Sequence, residues 1–247
     1  MSVSGPMLIV LGFGLAMLAV ELVVPGRRWP KVQGWLGRAV SLTAVQAGAA
    51  LLTGMTLDAW FPQLRLWNLE NLGVLGGALV GYLVITFVYY RWHRARHEIT
   101  FLWRWFHQVH HSPQRIELLT SFYKHPIEIV ANGALSSFIL YVLLGLSPGA
   151  AALAVAATGV AELFYHWNVK TPYWLGFIIQ RPESHCIHQR QGWHRSNYSD
   201  LPLWDILFGT FENPRASEFI CGFGPPQEAN LPAMLIGRDV HAPRRNP

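Results

Sequence analysis

The sequence has few charged residues for its length. Asp, Glu, Lys and Arg make up 13% of the 247 residues, about half of what a soluble globular protein carries. Apolar residues reach 51%, and there are eleven tryptophans. A soluble protein with so few charges would have too few polar side chains to cover its surface. A membrane protein does not need them, because lipid solvates its outside. The composition therefore argues against an ordinary soluble domain and favours a membrane protein of one-domain length.

Other absences narrow the class further. The two cysteines, Cys186 and Cys221, form no CxxC pair, which predicts two free thiols in a reducing compartment. The net charge is +5, but the basic residues form no continuous stripe, so nucleic acid is not an expected partner. They fit better as anchors to anionic membrane lipids. The first apolar segment has no basic region before it and no cleavage site behind it, which predicts a retained helix.

Long apolar segments are what the sequence does contain. A membrane-spanning helix needs roughly 20 mostly apolar residues. Five segments approach that length, which predicts an all-α integral membrane protein with four to five transmembrane helices: Met7–Val24, Ala39–Leu57, Leu72–Tyr90, Ile127–Leu146 and Ala150–Tyr165. The short connection Ser147–Gly149 makes the last two an antiparallel hairpin. No further span is predicted after residue 170.

The loop charges predict the orientation. Positive residues are enriched on the cytoplasmic side of membrane proteins. They gather in the loop before the second helix and after the third, at Arg27, Arg28, Lys31, Arg38, Arg91, Arg94 and Arg96. The loop around Asp58, Arg65 and Glu70 has no such excess, so we expect it outside. This topology predicts that all histidine-bearing segments lie together on the cytoplasmic face.

Eight of the eleven histidines occur in four spaced groups. Residues three or four apart share one face of a helix, and helical pairs of this kind present two imidazoles to one metal ion. The groups are His93 and His97; His107, His110 and His111; His166; and His185 and His188. Neutral imidazole suits Zn, Cu, Fe and Ni. The isolated His125 and His241 are expected to be ordinary surface or core residues.

The number of histidines indicates two metal ions. Eight imidazoles exceed what one ion uses, since zinc takes four ligands. Ten residues separate His97 from His107, which is about 15 Å along a straight helix, whereas two cooperating metals lie about 3.5–4 Å apart. The chain must therefore turn between these groups, and Glu98–Phe101 is the expected place.

Several motifs, in order, resemble the fatty acid hydroxylase and sterol desaturase superfamily. They run from about His93 to Phe211 and read HRARH, LWRWFHQVHHS, YKHPIE, HWNVKTPYWLG, RPESHCIH and NYSDLPLWDILFGTF. The resemblance implies a membrane enzyme with a histidine-rich di-metal centre, generally di-iron, facing the cytosol. It implies O2-dependent hydroxylation or desaturation of lipids, or ether-lipid cleavage. It also suggests three regions: 1–71 with N-terminal helices, 72–215 with the di-iron domain, and 216–247 as a tail.

The resemblance also assigns the ligands, with one departure. It implies that the metals are held by His93, His97, His107, His110, His111, His166, His185 and His188. Relatives commonly have HxxHH in the last motif, but this chain has Gln189 at the final position. An amide is a poorer ligand than imidazole for these metals. Either one metal has one ligand fewer, or His194 from the next loop replaces it.

The remaining expectations concern the surroundings of the centre. Carboxylates or amides near metal-bound histidines fix the ring tautomers, and the candidates are Asn197, Asp200, Asp205 and Glu162. Glu128, at the start of a membrane helix, is the candidate for tying that helix to the centre. By resemblance the cofactors are two iron ions, which zinc can replace in overexpressed material, with O2 as co-substrate. The expected partners are a lipid substrate, membrane lipids and a separate electron-donor protein.

Three other functions compete with this hypothesis. A haem-binding electron carrier would place paired histidines inside facing membrane helices, and the predicted interiors contain none. A metal transporter would place ligands near the bilayer midplane, where only Glu21 and Gln46 are notable. A family member that has lost catalysis stays open because of Gln189. Metal content and O2-dependent turnover distinguish these alternatives.

Overall fold

The computed structural model describes residues 5–193, 195–216 and 218–241, and within these ranges the chain is helical with no β-strand. This agrees with the predicted all-α class. The α-helices are α1 Gly5–Val23, α2 Trp35–Trp60, α3 Gly73–Glu98, α4 Thr100–Leu102, α5 Pro126–Ser137, α6 Pro148–His166, α7 Pro182–His188, α8 Pro202–Leu207, α9 Pro225–Glu228 and α10 Leu231–Leu235. Two π-helical segments, Trp103–His107 and Phe138–Leu143, extend α4 and α5.

Among the described residues, four helical segments are long and apolar enough to cross a membrane. They are Trp35–Leu64, Glu70–Glu98, Pro126–Leu143 and Pro148–His166, and Leu8–Val23 is a shorter apolar helix. These segments confirm the predicted spans within a few residues at most ends. The main differences are that α3 continues to Glu98 and that Asp58, expected in a loop, lies near the end of α2 and accepts a hydrogen bond from Ser137.

Small residues bring the central helices close together. A Cβ atom added to Gly77 would lie 2.9 Å from the Cβ of Ala150, and one added to Gly81 would lie 3.2 Å from that of Ala154. Small residues at such contacts allow membrane helices to approach closely. The close packing of α3 on α6 brings the C-terminal end of α3, with His93 and His97, beside the C-terminal end of α6, with His166.

The remaining segments cover one end of the bundle. One core cluster joins Trp35 at the start of α2, Val109 and Tyr123 from the connection after α4, and Phe223 and Met234 from the C-terminal segment. This cluster therefore contains residues from each of the three predicted regions. The division into 1–71, 72–215 and 216–247 stays a prediction. Cys186 and Cys221 are free and buried in a neighbouring cluster, as expected of two thiols.

Candidate metal centre

The eight clustered histidines meet at the covered end of the bundle. His93 and His97 lie on the last two turns of α3, and α3 ends at Glu98 because Ile99 is extended, with φ −108° and ψ 111°. A new helical segment begins at Thr100 and reverses towards the first pair. This confirms the predicted turn within Glu98–Phe101. The other histidines are His107, His110 and His111 after that segment, His166 at the end of α6, and His185 and His188 on α7.

The structure divides these histidines into two groups. In the five-histidine group, the candidate ligand atoms lie within 4.8 Å of one another, as they also do in the three-histidine group. The five-histidine group is His93, His97, His107, His111 and His188; the three-histidine group is His110, His166 and His185. The groups adjoin, since the ring centroids of His107 and His110 are 5.4 Å apart. The expected pair of metal positions therefore has two unequal sets of candidate ligands.

Backbone carbonyls fix the orientation of several rings. The Nδ1 atom of His93 lies 2.7 Å from the carbonyl oxygen of Tyr198, and that of His188 lies 2.7 Å from the carbonyl of Ser196. His166 Nδ1 lies 2.9 Å from the carbonyl of Glu162. A carbonyl oxygen only accepts, so each Nδ1 carries the hydrogen and Nε2 keeps its lone pair. This is the tautomer that a metal ion binds through Nε2.

The inward nitrogens have the chemistry that a cation requires. His93 Nε2 and His110 Nδ1 are buried without a hydrogen-bond partner among the described residues. His166 Nε2 lies 3.0 Å from His185 Nε2. Burial lowers the pKa of His107, His110 and His185 well below its usual value, because the imidazolium loses its hydration. The rings are therefore neutral at pH 7, and a pair of metal ions fits this set of donors.

Glu128 connects one candidate ligand to a buried ion pair. Its Oε1 lies 3.2 Å from His107 Nδ1 and also accepts a hydrogen bond from Arg96. Glu128 is completely buried, and Arg96 is 4% exposed. Because His107 is neutral, its contact with Glu128 is an Nδ1–H hydrogen bond to a carboxylate. The expectation that Glu128 ties α5 to the centre is confirmed at the level of geometry.

Two of the other expected supporting residues, Asn197 and Asp205, hydrogen-bond to backbone groups near the centre and not to the histidine rings. Asn197 contacts the backbone of Ser184 and Glu212, and Asp205 accepts from the backbone N–H of Tyr198 and Ser199. Both side chains thus hold the loop that supplies the ring-orienting carbonyls. The sequence contains little that identifies these carbonyl groups. The one weak sign is an asparagine at position 197, where the backbone adopts φ +52°, a conformation that asparagine tolerates.

The two remaining carboxylates belong to a separate polar network. The side chain of Glu162 pairs with Lys124, while its backbone carbonyl holds His166. Asp200 is hydrogen-bonded to Tyr165, and burial raises its pKa to about 7. Neither carboxylate belongs to the two histidine groups defined above. Their roles beside the centre stay predictions.

Gln189 lies where the resemblance led us to expect a ligand. It is completely buried, its Nε2 lies 3.4 Å from His185 Nε2, and its Oε1 has no partner within the described residues. It is therefore adjacent to the three-histidine group. His194, the alternative ligand, lies outside the described residues. The isolated His125 caps α5 and faces the carbonyl of Leu235, and His241 packs on Phe223, as ordinary residues do.

Replacing Gln189 by histidine tests whether this position lost a ligand. We expect Gln189→His to raise metal affinity at the three-histidine group by about tenfold or more, because imidazole binds these metals better than an amide. Competitive chelator titration measures the change, and Gln191→His, at an exposed position, is the control. If His194 supplies the ligand instead, Gln189→His will change little and His194→Ala will lose a metal. Unchanged metal affinity and turnover in both variants would exclude both residues from coordination.

Cavities reach the centre from two sides. A cavity of about 250 Å³ between α2, α3, α5 and α6 touches His93, His107, His110 and His185. A second, of about 520 Å³, touches His97 from the covered end of the bundle and is bordered by Arg94 and Trp193. Tyr198 borders both cavities. The first cavity extends from between the membrane helices to the histidines.

The matches to known proteins agree with this geometry. The model of the family described as "Fatty acid hydroxylase" matches residues 78–210. Ornithine lipid hydroxylase from Rhizobium tropici is 34% identical over 140 residues, covering 55% of this chain and 42% of that protein. Human alkylglycerol monooxygenase is 28% identical over 217 residues, covering 81% of this chain and 46% of that protein. The chain thus spans less than half the length of these relatives. No solved structure matches it.

Proposed function

We propose that this chain, which belongs to the fatty acid hydroxylase family, is a membrane-bound di-iron oxidoreductase that hydroxylates or desaturates a lipid. The observation that carries this proposal is the pair of buried histidine groups, with ligand atoms within 4.8 Å in each, beside a cavity between membrane helices. Iron bound there would supply activation of O2 for attack on an unactivated C–H bond. A fatty acyl chain, a sterol or an ether lipid is the expected substrate class.

The protein's own residues orient the ligands and limit access of water. Backbone carbonyls hold the rings of His93, His166 and His188 in one tautomer. Six of the eight candidate ligands are buried. The imidazoles bring no negative charge, unlike carboxylate-bridged sites in soluble bundles. A separate protein supplies the electrons in this proposal, and the cavity at His97 is where such a donor could approach the centre.

Metal content and lipid oxidation together test the proposed function. We expect purified protein to hold about two metal ions per chain, iron in the active form, measured by elemental mass spectrometry after iron loading. Comparative lipid mass spectrometry of cells with and without the protein should show a lipid that is hydroxylated, desaturated or cleaved only in its presence. One ion or fewer per chain would contradict the di-metal centre. Two ions without any oxidised lipid would favour the catalytically impaired alternative.

The metal-transporter alternative has less support. The histidine groups lie at one end of the bundle, where helices α3 and α6 finish, and not along a path through the membrane. Glu21, one of two polar candidates, accepts hydrogen bonds from the backbone N–H of Leu118 and Asn168. That is a structural role. Metal uptake that depends on the protein, without lipid oxidation, would revive this alternative.

We propose further that the histidine end of the bundle faces the cytoplasm. Arg65 is alone among Lys and Arg in residues 39–90, and residues 125–169 contain none. The basic residues therefore gather at the histidine end, as the enrichment of positive charge inside the cell requires. This orientation would also give the centre access to cytosolic electron donors.

Cysteine labelling in intact cells tests this orientation. An impermeant maleimide should label Gln63→Cys and miss Lys31→Cys, because these exposed positions lie at opposite ends of the bundle. The native Cys221 is only 1% exposed, so it adds little background and is itself unsuited as a reporter. Permeabilised cells provide the control in which both variants react. Labelling of Lys31→Cys alone in intact cells would reverse the orientation.

A further inference from the structure

The chain after α6 exposes two apolar stretches, although the sequence predicts no membrane span there. Residues 171–180 carry no charge, and residues 201–211 carry only that of Asp205, which is buried. The first stretch contains the 3-10 helix Tyr173–Phe177, and the second contains α8, Pro202–Leu207. Contiguous exposed apolar surface of this kind marks a contact with another molecule or with a membrane.

Helix α8 has an inward face and an outward face. Leu203, Ile206 and Leu207 have the i, i+3, i+4 spacing that places side chains on one face, and they are 45%, 48% and 63% exposed. Asp205 points inward, where it accepts hydrogen bonds from two backbone N–H groups of the preceding loop. The outward face therefore presents three large apolar side chains and no charge.

The exposed side of α3 continues onto this helix. Every fourth residue of α3 from Leu75 is apolar and exposed, which forms a stripe along the span: Leu75, Leu79, Leu83 and Phe87. The ring of Phe87, the last member, lies 5.0 Å from that of Trp204 and 6.2 Å from that of Phe208. Trp204 Nε1 also donates to the hydroxyl of Thr86 at 3.0 Å. Helix α8 therefore packs beside residues that belong to the span Glu70–Glu98.

The level of this contact along α3 is the edge of a bilayer. A hydrocarbon core of about 30 Å takes roughly 20 residues of helix, and 20 residues from the start of α3 end at Trp92. Phe87 lies within that length. Arg91, one turn further, is exposed, and its guanidinium carbon lies 5.9 Å from the centre of the Phe208 ring. The end of α8 is thus at the level where the apolar stripe gives way to positive charge.

A second apolar surface adjoins α8. The backbone N–H of Gln180 donates to the carbonyl of Asp200 at 3.0 Å, and the rings of Phe177 and Phe211 are 5.7 Å apart, so the two stretches are neighbours. Trp174 and Phe177 are more than half exposed, as is Ile178. Tryptophan and tyrosine are the side chains that favour the interface between membrane and water, and this stretch contains one of each.

Unpaired cations border both stretches. Lys170 and Arg215 are exposed, like Arg91, and the guanidinium carbon of Arg215 lies 4.5 Å from the centre of the Tyr173 ring. None of the three cations forms an ion pair with a carboxylate of the described residues. Cations beside a membrane surface attract the phosphates of anionic lipids. An apolar face rimmed in this way matches the lipid leaflet in both hydrophobicity and charge.

We propose that α8 and the 3-10 helix Tyr173–Phe177 form an interfacial membrane surface. Their apolar side chains insert into the leaflet on the histidine side, level with the end of the α3 stripe, and the bordering cations lie among lipid phosphates. The six residues of α8 rise only about 9 Å, so this surface lies in the interface, as amphipathic helices do, and does not span. The inference goes beyond the proposed function, because it requires no lipid oxidation and holds for either orientation of the bundle.

Fluorescence quenching measures the depth of α8 directly. Leu207→Cys is labelled with the fluorophore NBD in the purified full chain, with one chain per nanodisc of phosphatidylcholine and phosphatidylglycerol. Nitroxide-bearing phosphatidylcholine quenches from the bilayer, and iodide quenches from water. We expect the label at position 207 to lose most of its fluorescence to the nitroxide lipid and little to iodide. Metal content equal to that of the unlabelled protein verifies the fold.

Two positions on α3 calibrate this measurement. Leu79→Cys, in the exposed stripe, is the control for lipid contact. Glu98→Cys is the control for water, since Glu98 lies seven residues beyond Arg91, about 10 Å further along the helix. A label at position 207 that behaves like the one at position 98 would overturn the proposal. Protection from both quenchers would overturn it too, because a protein surface and not lipid would then cover α8.

The same measurement at Ile178→Cys tests the second part of the surface. We expect quenching by the nitroxide lipid, because Ile178 follows the 3-10 helix directly and is exposed. Quenching by iodide at this position would refute the two-part surface. Discs that hold two chains complete the test. If the labels are protected from both quenchers only in those discs, the apolar face belongs to an interface between two copies, which would overturn the proposal.

A charge placed on α8 tests the inference without a label. Leu207→Asp should unfold at a lower temperature than the wild type in nanodiscs, because a carboxylate is costly to place in a membrane. Ile220→Asp is the matched control, since Ile220 is a similarly exposed apolar residue in the segment that bridges to Arg190, and surface substitutions of this kind have small effects. A Leu207→Asp variant as stable as Ile220→Asp would show that water, and not lipid, surrounds α8.

Discussion

We expect replacement of His110 by alanine to abolish the proposed lipid oxidation and to lower the metal content from the proposed two ions per chain to about one. His110 belongs to the group of three histidines, so its loss leaves two imidazoles, His166 and His185. Loss of a residue that only supports a ligand already costs about 10- to 100-fold in metal affinity, and loss of a ligand should exceed that. His188→Ala should also abolish oxidation. The five-histidine group then still has four imidazoles, so we expect this variant to keep the metal ion with lower affinity.

Elemental analysis and chelator titration of both variants measure this difference. His241→Ala is the matched control, because His241 packs on Phe223 away from the two groups. Insertion into the membrane should be unchanged in all three variants, since no histidine in them lies in the apolar core of a span. Equal metal contents in His110→Ala and His188→Ala would contradict the division into five and three.

Replacing Glu128 by glutamine will have the largest effect on stability. Glu128 and Arg96 form a buried pair, with side-chain exposures of 0% and 5%, and removal of one partner from such a pair costs about 3–5 kcal/mol. The same change weakens the orientation of His107, so metal affinity of the five-histidine group should fall by about 10- to 100-fold. Both effects arise because Arg96 is left without its carboxylate and His107 Nδ1 loses a charged acceptor.

A double variant separates these two effects. Glu128→Gln combined with Arg96→Met removes both charges, which should restore much of the stability without restoring metal affinity. Glu98→Gln serves as the control, because Glu98 pairs with Arg94 at the surface of α3, the helix that carries Arg96, where a pair contributes about 0.3–0.5 kcal/mol. Denaturation in detergent and chelator titration provide the two readouts. A Glu128→Gln variant as stable as Glu98→Gln would show that the buried pair is not needed.

Much of this centre was predictable because its signals are local. Apolar stretches of nearly 20 residues are visible without knowledge of the fold. The spacing of His107, His110 and His111 places three rings on one side of a helical turn. The distance from His97 to His107 required a turn, and the extended conformation of Ile99 provides it. In each case the prediction used residues close together in the chain.

Other features could not be predicted because they join distant segments. The interaction of Glu128 with Arg96 and His107 depends on how α5 approaches α3. The carbonyl groups of Tyr198 and Ser196 orient rings that are 105 and eight residues away in the sequence. Backbone carbonyls are present at every residue, so no side-chain pattern identifies the ones that are used.

The sequence by itself determined that this is a helical membrane protein with eight histidines gathered at one end. Helix periodicity, span length and the order of the motifs are sufficient for that conclusion. Only the tertiary structure decided that five histidines form one group and three the other, with Gln189 beside the smaller group. It also decided that residues of α2, α3, α5 and α6 line one cavity beside the histidines. Both outcomes depend on the angles and distances at which separate helices pack, and residue spacing along the chain does not contain that information.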